Sequence, residues 1–152
     1  MQEYDNLEDE LRQVNEWISR RPQEGLAYAT KASILGRKIS GAEGMTRLSL
    51  GIQISHLANK GFGLNPDHFF CCLQKGIETL MKPEIFGGNT CQAIIHIEKA
   101  IKLNPDHADS HVWLGMALRK DGRESEAIAC FKKALSLNQE NKFAETCLKE
   151  VA

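Results

Sequence analysis

The chain has 152 residues, 42% of them apolar and 26% charged, a formal net charge of -1 and five cysteines. That length suits one ordinary domain with a real core and is short for two joined by a linker. The 19 basic and 20 acidic residues are balanced in both halves of the chain, which excludes a broad basic face for DNA, RNA or anionic lipid.

The cysteines are odd in number, lack CxxC spacing and include the adjacent pair Cys71 and Cys72, a pattern of free thiols in a reducing compartment. The opening MQEYDNLEDELRQ has neither a basic nor an apolar leader region, and no apolar run is long enough to span a bilayer. A cytoplasmic protein without a membrane span is expected.

Apolar residues recur at spacings of three and four, as in Ile94, Ile97, Ile101 and Ile128, Phe131, Leu135, so helices dominate and the class is all-α. Residues 3–20 predict an amphipathic helix carrying Leu7, Leu11, Val14, Trp17 and Ile18, which ends at RRPQEG. Residues 25–66 predict a helical hairpin with GRKISGAEG between its arms, and residues 69–107 a second, turning at MKPEIFGGN. Residues 108–141 predict a third, turning at RKDGRE, and residues 142–152 a short capping helix with Phe143 and Leu148. About eight helices result.

The phrase LNPDH stands at 64–68 and again at 103–107, and a variant, LNQEN, at 137–141, so the copies lie 39 and 34 residues apart. It is the corner between consecutive hairpins: proline stops one helix, and the aspartate is expected to cap the next. Ten residues after Pro22, Pro66 and Pro105 come Ala32, Gly76 and Gly115, while Gly61, Ala100 and Ala134 fall five before Pro66, Pro105 and Gln139. Small residues at such depths mark where two paired helices approach closely.

Residues 108–141 resemble a tetratricopeptide repeat, a 34-residue helix-turn-helix with the pattern W-x2-L-G-x2-Y, A-x3-F, then A and P. Leu114 and Gly115 fill the L-G pair, Leu118 the Tyr position, and Gly122 the turn. Ala127 and Phe131 fill A-x3-F and Ala134 follows; His111 replaces the Trp and Gln139 the Pro. Residues 69–107 match with a five-residue insertion in the turn, through Cys72, Gly76, Ala93, Ile97, Ala100 and Pro105. Residues 25–66 match loosely through Tyr28, Ala32, Leu35 and Ala58, with ten extra residues around GRKISGAEG.

The resemblance implies a superhelix of about three hairpins with an extra N-terminal helix and a C-terminal cap, whose first helices line a groove that holds a partner peptide or helix. It places Phe70, Leu73, Ile77, Leu80, Val112, Met116, Arg119 and Lys120 on that groove, and less directly Leu26, Ala29, Ser33 and Arg37. One branch of the family grips a C-terminal carboxylate with Lys and Asn, but here the matching positions hold Leu73, Ile77, Val112 and Met116. The expected function is therefore a non-enzymatic adaptor whose apolar groove takes an amphipathic partner. The alternative is a binder of a small amphiphile, or an accessory subunit of an enzyme or transporter, using Arg37, Arg119 or Lys120 for the head group. The groove could instead be filled by the N-terminal helix, by Ile85 and Phe86 of the inserted turn, or by a second copy in a homo-oligomer.

Catalytic, metal and cofactor signatures are wanting. His107 and His111 have the i, i+4 spacing of a metal pair, but no further ligand stands beside them. FFCC at 69–72 offers thiols among aromatic neighbours, the setting of a buried structural cysteine. FGGN at 86–89 lacks the ending of a phosphate loop and reads better as a turn with Asn89 as N-cap, with Gln92 three residues on.

Overall fold

The computed structural model describes the backbone of residues 2–151 and the side chains of residues 6–151. Eight α-helices follow one another, and no strand occurs among the described residues: α1 Gln2–Arg20, α2 Gly25–Ile39, α3 Gly44–Leu64, α4 Phe69–Met81, α5 Thr90–Leu103, α6 Ala108–Lys120, α7 Glu124–Leu137 and α8 Lys142–Val151. A 3-10 turn, Glu84–Phe86, lies between α4 and α5. The chain is all-α, as the periodicity requires. It divides into two compact units, one ending at Gln74 and one beginning at Lys75.

In the first unit α1 packs along α2, and α2 pairs with α3. Tyr28, Ala32 and Leu35 of α2 meet Leu50, Leu57 and Ala58 of α3, and Leu11 and Ile18 of α1 close the cluster. The pairing depends on two glycines. A Cβ at Gly61 would stand 2.8 Å from the Gly25 carbonyl oxygen, and one at Gly25 would stand 2.4 Å from the Gly61 oxygen. The ten additional residues of this unit are absorbed largely by helix: α3 runs for 21 residues, where α5 and α7 run for 14. No proline interrupts 45–64, and a glycine inside a helix costs only about 1 kcal/mol, so helix continues where the sequence suggested loop.

The second unit repeats the hairpin device with different partners. A Cβ at Gly76 of α4 would fall 2.5 Å from Ile97 Cγ1 and 3.2 Å from the Ala93 oxygen of α5. At Gly115 of α6 it would fall 2.4 Å from Cε1 of Phe131 on α7, and Phe131 is wholly buried. Ala93, Ala100, Ala127 and Ala134 are buried alongside, so the small positions read from the spacing do face their partner helices. α8 packs against α7 and α6, with Trp113 and Phe143 edge to face at 5.3 Å.

The corners differ from expectation in one respect. In the second copy the aspartate lies outside the following helix, and the fifth letter of the phrase stands at the cap. His107 is the N-cap of α6, with Asp106 outside it, and the His68 ring Nδ1 accepts from the Phe70 amide at 3.2 Å. In the third copy the fifth letter is Asn141, whose Oδ1 accepts from the Ala144 amide at 3.0 Å while its Nδ2 donates to Asp109 at 2.7 Å. The fifth letter thus stands at the start of the helix; in the first and third copies its side chain accepts a first-turn amide, whereas the His107 ring turns to Ser110 Oγ. Asn89 does cap α5, accepting from the Gln92 amide at 3.0 Å.

Six residues after each of the three prolines that precede a hairpin's first helix stands a donor to that proline's carbonyl. Tyr28 donates its hydroxyl to Pro22 O at 2.9 Å, Cys72 its thiol to Pro66 O at 3.1 Å, and His111 Nε2 its N–H to Pro105 O at 2.8 Å. The latch gives each of these corner carbonyls a side-chain donor.

Gly115→Ala should lower unfolding stability by about 1–3 kcal/mol, because the buried Phe131 ring has nowhere to move. Gly36→Ala, inside α2 with nothing within 4 Å of the new methyl, should instead raise it by about 0.5–1 kcal/mol. Urea unfolding followed by far-UV circular dichroism checks both signs; a neutral Gly115→Ala would refute the close-approach account.

Candidate functional site

The eight groove residues expected from the sequence fall into three groups. Leu73, Leu80 and Val112 are core, with relative exposures of 2, 3 and 0%. Phe70, Ile77 and Met116 are half-buried, and Arg119 and Lys120 are exposed. Within the second unit the structure brings α4 and α6 side by side at their C-terminal ends, where Lys120 Nζ donates to the Leu80 carbonyl at 3.1 Å. One turn back from these ends stand Ile77 and Met116, and Met81 at the end of α4 is 62% exposed. Ile77, Met81 and Met116, with Lys120, make up the candidate strip around this contact, and Leu80 and Val112 are buried on the same two helices. Arg119 turns toward α8 and pairs with Glu150 at 3.0 Å.

Near this strip lies a charged cluster that no motif announces. Glu78 is almost fully buried, and its carboxylate takes both Lys75, at 3.2 Å, and Lys82. Lys75 is the residue standing where the repeat pattern prefers leucine; its stem is covered and its ammonium meets the acid. His96 of α5 faces the same cluster. Burial, and then the positive charges of Lys75 and Lys99, hold its imidazole below the ordinary 6.5, with Glu78 opposing.

The family model of the tetratricopeptide repeat matches residues 108–141. Over 58 residues, 38% of this chain, the sequence is 36% identical to the TPR repeat-containing protein MJ0941 of Methanocaldococcus jannaschii, of which the match spans only 17%. The chain therefore carries a tetratricopeptide repeat at 108–141 and is similar to tetratricopeptide-repeat proteins. The repeat identified from Leu114, Gly115, Ala127 and Phe131 thus has the bounds expected of it. Solved structures extend the likeness of fold to nearly the whole chain. TTC0263, a thermophilic TPR protein of Thermus thermophilus, superposes with a TM-score of 0.72 at 17% identity, covering 98% of this chain and 74% of that one. YrrB, a TPR protein described as having an unusual peptide-binding site, superposes with a TM-score of 0.57 at 14% identity, covering 97% of this chain and 86% of that one.

Other sequence candidates in this tetratricopeptide-repeat chain have structural explanations. His107 Nδ1 lies 2.7 Å from Ser110 Oγ and His111 Nε2 is bound to Pro105, so both rings are engaged within the corner. Cys71 is buried, and burial together with the adjacent Cys72 pushes its thiol up to about 11, far from a nucleophile. Burial also raises the thiols of Cys130 and Cys147. Ile85 and Phe86 of the inserted turn are 86 and 64% exposed, so they fill no groove. Arg37, expected on the first unit's groove, pairs with Glu10 of α1, and neighbouring Lys38 pairs with Glu8 at 3.1 Å.

Sequence reasoning missed an open cleft of about 720 Å³ between α1, α2 and α3. Leu11, Leu35 and Leu50 form its apolar floor, and Arg12, Lys31 and Lys38 stand among its rim. No motif signals it, because its lining comes from three helices, with Leu11, Leu35 and Leu50 far apart in the sequence.

The His96 cluster makes stability depend on acid. The unfolded chain takes up this proton near 6.5 while the folded imidazole resists it, so the contribution is complete above about pH 6.5 and is lost as pH falls through the depressed folded value. His107 is held low by burial too and acts in the same direction. The urea midpoint should therefore drop between about pH 7 and about pH 5, and His96→Gln with His107→Asn should flatten that drop. An unchanged acid slope in the double variant would remove both histidines from the explanation.

Proposed function

We propose that the chain is a non-enzymatic interaction module that holds a partner peptide or amphipathic helix against the α4–α6 strip. The tetratricopeptide fold serves generally as a protein-interaction scaffold. The observation that carries the reading is the Lys120–Leu80 hydrogen bond, which brings together the ends of two helices that carry exposed Met81 and half-buried Ile77 and Met116. Methionine is flexible and polarisable, so two of them on one strip suit partners of varied shape. Lys120 can leave the carbonyl for an acidic side chain of the partner at little cost. The peptide-binding site for which YrrB is described supports a peptide as the class of ligand.

The amphiphile reading has less support, because two of the three cations it needs are turned to acids of the chain itself, Arg37 to Glu10 and Arg119 to Glu150. The raised thiols and engaged histidines favour a non-catalytic role. Five free cysteines, three of them buried, fit the reducing cytoplasm. No helix among the described residues is long and apolar enough to cross a membrane, and the near-neutral charge argues against nucleic acid.

The test is capture of native partners on immobilised protein, read by mass spectrometry. Met81→Asp with Lys120→Glu alters two exposed residues and should leave helical content intact while lowering retention of the wild-type partner set at least about tenfold, the scale of one or two lost hot-spot contacts. Equal retention by the folded variant would place the binding surface elsewhere.

A further inference from the structure

The cleft between α1, α2 and α3 lies wholly within the first unit. Its lining keeps to one face of each helix, at spacings of three and four, as in Leu11, Asn15 and Ser19 of α1 and Lys31, Leu35 and Lys38 of α2. α1 and α2 run antiparallel, with Glu8 against Lys38 and Glu10 against Arg37. Continued along both helices, that register sets Leu11 level with Leu35 and Asn15 level with Lys31. An apolar station and a polar one thus follow each other along the cleft.

Charge in the cleft is unbalanced. Four cations, Arg12, Arg20, Lys31 and Lys38, line it against two acids, Glu8 and Glu16. Both acids are taken, Glu8 by Lys38 at 3.1 Å and Glu16 by Arg20 at 3.9 Å. Arg12 turns to Asp9 at 2.7 Å. Lys31 is left over: half-buried, one turn from Leu35, it has neither an ion pair nor a side-chain hydrogen bond among the described residues. A half-covered ammonium gives up hydration, and a carboxylate brought from outside would compensate it.

The dimensions suit a peptide in extended form. From Glu8 to Arg20 the α1 edge is about 18 Å long, the span of about five or six extended residues. Lys31 and Leu35 stand about 6 Å apart along α2, close to the separation of about 6.6 Å between side chains two apart in an extended chain. An extended segment brings unpaired amides and carbonyls, and Asn15, Ser19 and Gln53 on the rim offer it side-chain donors and acceptors. A free amphiphile fits less well, because small ligands bind where most of their surface is enclosed, and this cleft is open.

We propose that the cleft holds an extended acidic segment of a partner protein, with a carboxylate on Lys31 and an apolar side chain two residues away against Leu11 and Leu35. This second site shares no residue with the α4–α6 strip, and either proposal stands without the other.

Isothermal titration calorimetry of the whole chain tests it with two acetylated, amidated hexapeptides, Ser-Glu-Ser-Leu-Ser-Leu and Ser-Lys-Ser-Leu-Ser-Leu, both too short for a stable helix. The glutamate peptide should bind with a dissociation constant below about 1 mM, and the lysine peptide at least about tenfold more weakly. Lys31→Glu, checked for helical content, should invert that order. Lys31→Met keeps the apolar stem and should bring the two affinities together. Met81→Asp with Lys120→Glu should leave the wild-type preference unchanged. No binding of the glutamate peptide by the wild type, or an order that survives Lys31→Glu, would overturn the proposal. Loss of binding in the Met81 and Lys120 variant but not in Lys31→Glu would overturn it too, by assigning the peptide to the strip. Binding of sodium decanoate without the glutamate peptide would overturn it in favour of a free amphiphile.

Discussion

Paired helices in this chain approach until backbone nearly meets backbone, and the other features follow from that distance. The device takes three forms. Gly25 and Gly61 face each other across α2 and α3; Gly76 receives Ile97 of α5; Gly115 receives the ring of Phe131. Removing a Cβ allows a neighbouring atom to occupy its place, and the dispersion gained over such a contact requires full contact on both sides. Because the close approach fixes both the distance and the rotation of each helix, it decides which residues are left facing outward. The α4–α6 strip is what remains of two first helices after their small and core positions have been used.

Local, periodic features were legible in the order of residues alone: the helices, the corners, the small positions, the bounds of the regular repeat and the cap at Asn89. The corner latch was not. Tyr28, Cys72 and His111 share no side-chain type, only a polar hydrogen six residues after a proline, so dissimilarity of letters hides similarity of role. The cap was misread for a related reason. Aspartate is a good cap in isolation, but the geometry of the corner selects the fifth letter, where His107 and Asn141 stand. Depth was misjudged as well: a repeat pattern tells which way Leu73, Leu80 and Val112 point, whereas burial to within a few per cent depends on neighbours from other helices.

Electrostatics narrow what the surfaces recognise. Several exposed cations are committed to nearby acids, among them Arg12 to Asp9, Arg119 to Glu150 and Arg123 to Glu126. Exposed pairs of this kind are worth about 0–1 kcal/mol each, so they trim specificity and can be exchanged for a partner's charge without large loss. Glu78 is different in kind. Buried between Lys75 and Lys82, its carboxylate would be costly if left alone, and the two ammonium groups compensate the hydration it gives up. The charge inside the α4–α5 pair is therefore structural, and the proposed recognition at the strip would fall to apolar shape with Lys120 at its edge.

The two turns within the second unit show that the insertion is not needed to close a hairpin. Between α6 and α7 the chain reverses through Asp121, Gly122 and Arg123, with Gly122 at φ +84° and the Arg123 amide bonded to Leu118 O at 2.9 Å. Charged residues and one glycine suffice there, and nothing apolar is exposed. Between α4 and α5 the same reversal carries a proline, two conformationally demanding glycines and two large apolar side chains held in solvent. Exposed isoleucine and phenylalanine contribute nothing to stability, and a rigid turn presenting them raises the risk of aggregation. Closure and folding account for neither.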